Sequence, residues 1–304
     1  MSNSTAKARI KKTQPKAPKY TLPQFLKEFP NDDACLHEIF RRVHGPSTPC
    51  TECETETTWH KVKGRRCYKS ACCGAELYPL AATPLKDTKL PLTHWFFVIF
   101  LFTNSRNGVS AKEIERQLGV SYPTALRMGH KVRELLNEEG EIVLEGTVEM
   151  DETLQGGKCP GGGRGWASQN KKCVFGMYER GHGGRVITAV VPNRKAATLM
   201  PIITQGTTEE VTAYTDEFRG YNRLGREVAH HDTINHSIKE WVRGDVHTQG
   251  IEGYWGRVKR SITGTYVCVT AEFLPLYLAE FNFRHNHRTE CMWGAAMNRF
   301  GSIA

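Results

Sequence analysis

The sequence has no long apolar run. A membrane-spanning helix needs about 18–20 consecutive apolar residues, and the longest apolar stretch, residues 95–102, is followed by Thr103 and Asn104. We interpret this stretch as one buried helical segment and expect no membrane partner. The start of the chain, MSNSTAKARIKK, also lacks the apolar segment of a secretion signal, which predicts a cytoplasmic protein.

Acidic residues are absent from the first 20 positions. The basic residues there are Lys7, Arg9, Lys11, Lys12, Lys16 and Lys19. A charged segment with few apolar residues cannot bury a core, so we expect residues 1–20 to form a disordered tail. With a net charge of +9 for the whole chain, this tail favours a polyanionic partner. A basic soluble protein with a solubilising tail is the alternative.

Disulfide bonds are not expected, although the chain has ten cysteines. Without a secretion signal we expect a reducing compartment, where clustered thiols more often bind metal. Five cysteines are scattered, and we interpret them as ordinary packing residues: Cys35, Cys159, Cys173, Cys268 and Cys291.

The other five cysteines are clustered. Cys50 and Cys53 form a CxxC pair, and Cys67, Cys72 and Cys73 follow a short basic hairpin, HKVKGRR. Two thiolate pairs separated by a hairpin are typical of a zinc ribbon, which we assign to residues 21–84, with four of the five cysteines as Zn²⁺ ligands. A ribbon that no longer binds metal is the alternative. We expect little helix in this segment.

Residues 85–140 are predicted to be helical. One helix covers LPLTHWFFVIFLFTN, and two more surround a turn at Gly119, with Ser121 as an N-cap and Pro123 in the first turn. Helix, glycine-containing turn and helix are typical of a DNA-binding helix-turn-helix. Many helical hairpins have the same pattern, so DNA binding needs further support.

The pattern changes at residue 141. Strands are predicted at EGTVEMDET, KCVFGMYE and GRVITAVV, a helix at AATLMPIIT, then strands at EVTAYTDEF and, more weakly, EVAHHDTIN. The chain after His247 is predicted to be mostly helical. This order fits an α/β domain of the ribonuclease H type, which we assign to residues 141–304.

Two strand runs end in an aspartate, Asp151 and Asp216. Glu252 lies in a predicted helix, HTQGIEGYWGRVKRSITG, and Lys259 is seven residues further on, close to two turns, so both side chains share one face. Each acid alone is more often a turn or cap residue. We expect the neighbouring Glu149, Glu152 and Glu217 to be solvated.

This combination predicts metal-dependent phosphodiester chemistry. Mg²⁺, or Mn²⁺, prefers carboxylate oxygens, and a pair of such ions stabilises the charges that develop during phosphodiester cleavage. We assign Asp151, Asp216 and Glu252 as metal ligands and expect Lys259 to orient a phosphate as a point charge.

Several blocks of the chain resemble a known family. The most specific ones are YPLAATPLKDTKLPLTHWFF, NGVSAKEIERQLGVSYPTALRMGHKVR, VEMDETLQGGK, YTDEFRGY, INHSIKEWVRGDVHTQGIEGYWGRVKRSITGTY and FNFRHNHR. Over about residues 22–290 the chain is similar to insertion-sequence transposases of the DDE type with an N-terminal zinc ribbon, the prokaryotic relatives of Merlin elements, with an ISXO2-like transposase domain.

The resemblance implies a zinc ribbon, a helix-turn-helix and a ribonuclease-H-like catalytic domain. It implies binding of terminal inverted repeats in double-stranded DNA, cleavage of the 3′ ends and their joining to target DNA, with Mg²⁺ as the metal. Such a protein would be nucleoid-associated. It would act at least as a homodimer, because two DNA ends must be paired.

Four residues match the family's catalytic positions: Asp151, Asp216, Glu252 and Lys259. Relatives often have Asn where this chain has Gln249, and in some branches that Asn is counted as the third catalytic residue. The role therefore falls on Glu252 here.

The second half of the ribbon departs from the family pattern. Ser70 stands where a ligand cysteine belongs, Cys73 matches the next ligand, and Cys67 or Cys72 would have to substitute. His236 matches a family feature and either shapes the cleft or packs as an ordinary histidine.

Two aromatic residues follow Glu252. We expect one of Tyr254 and Trp255 to pack in the core, while the other could stack on an unpaired base. Two other functions stay open: a domesticated DNA-binding regulator without catalysis, and a metal-dependent nuclease that cuts without joining.

Overall fold

The computed structural model describes residues 19–45, 48–156, 171–181, 183–235, 238 and 240–302. The predicted basic tail, apart from residues 19 and 20, lies outside this part of the chain. His236 and Cys159 lie outside it too.

Two helices open the described chain, α1 (Leu22–Glu28) and α2 (Asp32–His44). The prediction of little helix in this segment was therefore wrong. The sequence contains a local helix signal that the prediction missed. Asn31 is the N-cap of α2, and its side chain accepts a hydrogen bond from the backbone N–H of Ala34 at 3.0 Å. A buried face follows, made by Cys35, Leu36, Ile39 and Phe40.

A small three-stranded sheet follows the helices. Its antiparallel strands are β1 (Trp59–Lys61), β2 (Tyr68–Ser70) and β3 (Glu76–Leu77), in that order across the sheet. The predicted basic hairpin is the connection from β1 to β2, where His60 lies opposite Lys69.

Three helices come next, α3 (Leu92–Asn104), α4 (Ala111–Leu118) and α5 (Tyr122–Leu135). The helical prediction is confirmed, and Gly119 ends α4 in the left-handed region at φ +66°. Ser121 occupies the N-cap position of α5, but its hydroxyl bonds the Thr124 hydroxyl at 2.9 Å instead of a backbone N–H. In the described chain, none of the helices has both the length and the apolarity of a membrane span.

The larger sheet contains all five predicted strands, and the predicted helix lies between the third and fourth. The elements are β4 (Thr147–Gln155), β5 (Lys172–Glu179), β6 (Val186–Val191), α6 (Ala196–Gly206), β7 (Thr212–Asp216) and β8 (His230–Ile234). The order across the sheet is β6-β5-β4-β7-β8. β5 is antiparallel to β4 and β6, whereas β7 and β8 run parallel to β4. The fold is therefore mixed α/β.

Helices form most of the chain's last part, as predicted. They are α7 (Gln249–Ser261), a π-helical turn (Ile262–Tyr266), α8 (Leu274–Asn286) and α9 (Met292–Ser302). One face of the larger sheet packs on α6, and the other packs on α7 and α8. α9 instead joins the core of the N-terminal helices, where Trp293 contacts Phe25.

Candidate functional site

Asp151 and Asp216 lie side by side at the end of two parallel strands. In the register of β4 and β7, Val148 is opposite Ala213 and Glu149 is opposite Tyr214. The pairing between β4 and β7 ends there, and Asp151 and Asp216 each lie two residues further along their own strand. One carboxylate oxygen from each lies within 4.8 Å of the other and of a Glu152 oxygen.

The carboxyl group of Asp151 has a raised pKa, about 7. Burial is the largest cause, and the negative charges of Asp216 and Glu252 add to it. The indole N–H of Trp255 has the opposite effect and lowers the pKa of Asp151. The contact is weak, because this buried nitrogen forms no hydrogen bond of normal geometry. A divalent cation would relieve this crowding of negative charge.

Glu152 is buried, with 8% of its surface exposed, so the prediction that it is solvated was wrong. The Tyr221 hydroxyl donates to its Oε1 at 2.7 Å. Burial raises the pKa of Glu152 to about 7, against the lowering effects of that hydrogen bond and of Arg194. Glu217 is exposed, as expected.

Glu149 is also buried, contrary to prediction, with 1% exposed. The backbone N–H groups of Gly250 and Ile251 donate to its Oε2 at 2.7 and 3.0 Å, and Arg180 Nε donates to Oε1 at 2.6 Å. A carboxylate of β4 therefore satisfies free N–H groups at the start of α7 and favours its dipole. This contact fixes the helix that carries Glu252 against the strand that carries Asp151.

Glu252 is an exposed residue in the first turn of α7. The Thr248 hydroxyl donates to its Oε1 at 3.1 Å. Its negative charge raises the pKa of Asp151, so Glu252 lies near that carboxyl group, but it does not belong to the close group formed by Asp151, Glu152 and Asp216. Gln249 is exposed at the first residue of the helix.

Lys259 is exposed on α7 and lines a cleft of about 850 Å³. Gln155 at the end of β4 and Lys172 at the start of β5 line the same cleft. The cleft thus connects the strand of Asp151 to a cationic surface.

Tyr254 and Trp255 are both buried, with 1% and 3% exposed. The suggestion that one of them could stack on a base was therefore wrong. Trp255 packs on Gly176, which lies opposite Asp151 in β5; a Cβ at Gly176 would be 2.5 Å from the indole. The indole thus covers the sheet beside the aspartate.

A second cluster lies beside the small sheet. The sulfurs of Cys50, Cys53, Cys72 and Cys73 lie within 4.8 Å of one another. Cys67 is fully buried and is not part of this group. Zn–S bonds of 2.3 Å in a tetrahedron place sulfurs about 3.8 Å apart, and Cys50 and Cys73 are 3.5 Å apart. The donor set fits zinc.

The backbone explains why Cys72 completes the set. The N–H of Glu54 donates to the Cys50 carbonyl, and the N–H of Gly74 donates to the Ser70 carbonyl, so both halves form the same turn. Glu54 and Gly74 both have positive φ. Ser70 occupies the position of a first ligand, and Cys72 supplies the missing sulfur. Hydrogen bonds, first of all from Thr57, lower the pKa of Cys72 to about 6, whereas the hydrogen bond with Cys73 raises the pKa of Cys53 to about 12. Cys72 is therefore the more readily available of these two as the thiolate that metals bind.

The scattered cysteines pack mostly as predicted. Cys35 and Cys173 are buried, and Cys291 is partly buried against the helical core. Cys268 is exposed, so the prediction of a packing role was wrong for that residue.

Comparison with known proteins identifies the family. Residues 143–286 match the model of the ISXO2-like transposase domain. The chain is 26% identical over 255 residues to a protein in transposable element ISH50 of Halobacterium salinarum, covering 77% of this chain and 84% of that protein. It is 35% identical over 103 residues to a transposase-like protein of Haemophilus influenzae, covering 34% of this chain and 82% of that protein. The chain therefore belongs to the family of insertion-sequence transposases with an ISXO2-like transposase domain.

Proposed function

We propose that the chain is a DNA transposase of the DDE type. It binds the terminal inverted repeats of its element, cleaves the 3′ ends and joins them to target DNA. One observation carries the proposal: Asp151 and Asp216, 65 residues apart in sequence, meet at one end of the sheet, where the charge of Glu252 also acts.

The sheet supports a ribonuclease-H-like catalytic domain within residues 141–304. Three consecutive antiparallel strands are followed by a helix and by two strands parallel to the first, with the first strand in the centre. Acids at the ends of neighbouring central strands then face a common opening.

The carboxylates fit a site for Mg²⁺ or Mn²⁺, held by Asp151, Asp216 and Glu252. When bound, such ions stabilise the charges on the attacking and leaving oxygens of a phosphodiester and activate the nucleophile. Glu149 keeps Glu252 in place by holding the first turn of α7. Lys259, two turns along, attracts and orients the phosphate.

The N-terminal regions supply DNA binding in this proposal. The zinc ribbon of residues 21–84 is held by Cys50, Cys53, Cys72 and Cys73, and the helix pair α4–α5 within residues 85–140 is a helix-turn-helix. Zinc here is structural, because four thiolates leave no open position. Two DNA ends are paired by a homodimer or larger assembly, on the nucleoid.

The test uses a duplex that carries the element's terminal inverted repeat. Wild-type protein is expected to nick it at the 3′ end with Mg²⁺ or Mn²⁺, while Asp216→Asn binds the duplex with equal affinity and does not cut. Glu217→Gln, an exposed neighbouring acid, is the matched control and keeps activity. Undiminished cleavage by Asp216→Asn would refute the proposal. Wild-type binding without cutting would favour the regulator, and cutting without joining would favour a nuclease.

A further inference from the structure

A second cleft, of about 800 Å³, lies away from the acidic site. It is formed by α7, the C-terminal half of α8, and the loop that joins α3 to α4. Five arginines line it: Arg106, Arg257, Arg260, Arg284 and Arg288. Among the described residues that line it, none is an aspartate or glutamate.

The carboxylate that pairs with Arg284 of the cleft is already shared. Glu280 is fully buried and pairs with Arg133 at 2.9 Å and with Arg284 at 3.2 Å. The Tyr266 hydroxyl also donates to it. Glu280 therefore compensates Arg284 only in part, and the other four arginines of the cleft form no ion pair with any residue that the structure describes.

Neutral acceptors hold two of these arginines in place. Arg257 Nη2 donates to Nδ1 of His285 at 3.1 Å, and His285 Nε2 donates to the Gly184 carbonyl at 3.1 Å. The same carbonyl accepts from Arg288 at 2.8 Å. Burial and the two arginines lower the pKa of His285 to about 3, so the ring stays a neutral acceptor. The guanidinium groups are thus oriented without being neutralised.

Several guanidinium groups in a cleft whose described lining has no carboxylate attract anions, and the guanidinium fork matches a phosphate. We propose that this cleft, hereafter the arginine cleft, binds the phosphodiester backbone of DNA. The inference rests on the proposed function, since that function supplies DNA as the polyanion.

The contacted phosphates are not those being cut. Arg257 is five residues after Glu252, about 140° around the helix, so the two side chains leave α7 on different sides. Arg106 lies five residues before the start of α4. Duplex DNA held by the α4–α5 pair can therefore continue into the arginine cleft while another part reaches the acidic site.

The experiment measures binding of a labelled inverted-repeat duplex by fluorescence anisotropy over a range of salt concentrations, without divalent metal. The double variant Arg257→Gln/Arg260→Gln is compared with wild type and with Arg226→Gln, an exposed arginine outside the cleft. Each lost phosphate contact lowers the slope of log K against log salt by about 0.9. We expect the double variant to lose about 2 from the slope, and Arg226→Gln to keep the wild-type slope.

A second variant guards against local misfolding around His285. Arg106→Gln, on a separate loop, is expected to lower the slope by about 1. Wild-type affinity and slope in both cleft variants would overturn the inference while leaving the proposed function intact. Lowered slopes in a protein that never cuts DNA would support the arginine cleft and reject the catalytic proposal. A wild-type protein that binds no duplex would overturn both.

Discussion

Glu149, Asp151 and Glu152 show how much the environment decides the role of a carboxylate. All three lie within four residues of β4, a central strand covered on both faces. Glu149 is ion-paired and caps a helix, Glu152 accepts from a tyrosine, and Asp151 faces Asp216. The sequence pattern predicted Asp151 as a site residue but placed its neighbours in solvent, because the local pattern does not show that both faces of β4 are covered.

Two glutamates compete for the third ligand position. We expect Glu252→Gln to lower cleavage about 100-fold or more, since misplaced reacting groups cost that much, and Glu152→Gln to lower it less than about tenfold, because the amide can still accept from Tyr221. Single-turnover nicking assays measure both. A larger loss of cleavage in Glu152→Gln than in Glu252→Gln would assign the third ligand position to Glu152.

The titration of Asp151 gives a pH dependence. Its folded pKa of about 7 is above the usual value of 3.8, so the metal-free folded state binds more protons than the unfolded chain, and the carboxyl destabilises the fold as pH rises from about 4 to about 7. Asp151→Asn is therefore expected to gain free energy of unfolding relative to wild type between about pH 5 and pH 8. Urea titrations in chelator measure this. A difference in free energy of unfolding between Asp151→Asn and wild type that does not change with pH would contradict the burial of Asp151.

At the scale of elements, the five strands and the helix of the larger sheet were predictable from periodicity bounded by glycine or polar turns, and the pattern is weakest in β8. α1 was not predictable, because seven residues carry too little periodicity and its Phe25 packs on Trp293, far along the chain. For the cysteine group beside the small sheet, the sequence predicted four members out of five candidates without deciding which four. The choice between Cys67 and Cys72 depends on the turn after Ser70, which spacing does not reveal.

The ribbon gives a prediction about metal content. Cys72→Ser is expected to reduce bound zinc to well below one ion per chain, because three thiolates leave the tetrahedron incomplete. Cys67→Ala is expected to keep the zinc despite some loss of stability, and Cys268→Ser serves as the exposed control. Elemental analysis after dialysis measures the stoichiometry. Zinc retained by Cys72→Ser and lost by Cys67→Ala would reverse the assignment.

At the scale of the whole molecule, one buried ion pair joins the helical core to the sheet. Arg133 of α5 and Glu280 of α8 have 3% and 0% of their side chains exposed, and Tyr277 lies against the guanidinium, 3.8 Å from its ring centroid. α8 in turn packs on β6. Helices proposed to bind DNA are therefore mechanically connected to the sheet that carries the acids.

Breaking this pair tests that connection. Glu280→Gln leaves a buried arginine without its counter-charge, which is expected to lower the free energy of unfolding by about 3 kcal/mol or more. The exposed acid Glu209, changed to Gln, is the control with an expected effect within about 0.5 kcal/mol. Urea unfolding followed by circular dichroism measures both. A loss below about 1 kcal/mol would show that the pair does not hold the two parts together.

The central claim is that Asp151 and Asp216 hold divalent metal ions. Crystals grown at about pH 8 or above, where most of the Asp151 carboxyl with its pKa of about 7 is ionised, can be soaked in Mn²⁺ and measured for anomalous diffraction. The account predicts a strong anomalous peak between the carboxylates of Asp151 and Asp216, with Glu252 nearby. A map with no peak there, at a Mn²⁺ concentration that supports DNA cleavage, would contradict it.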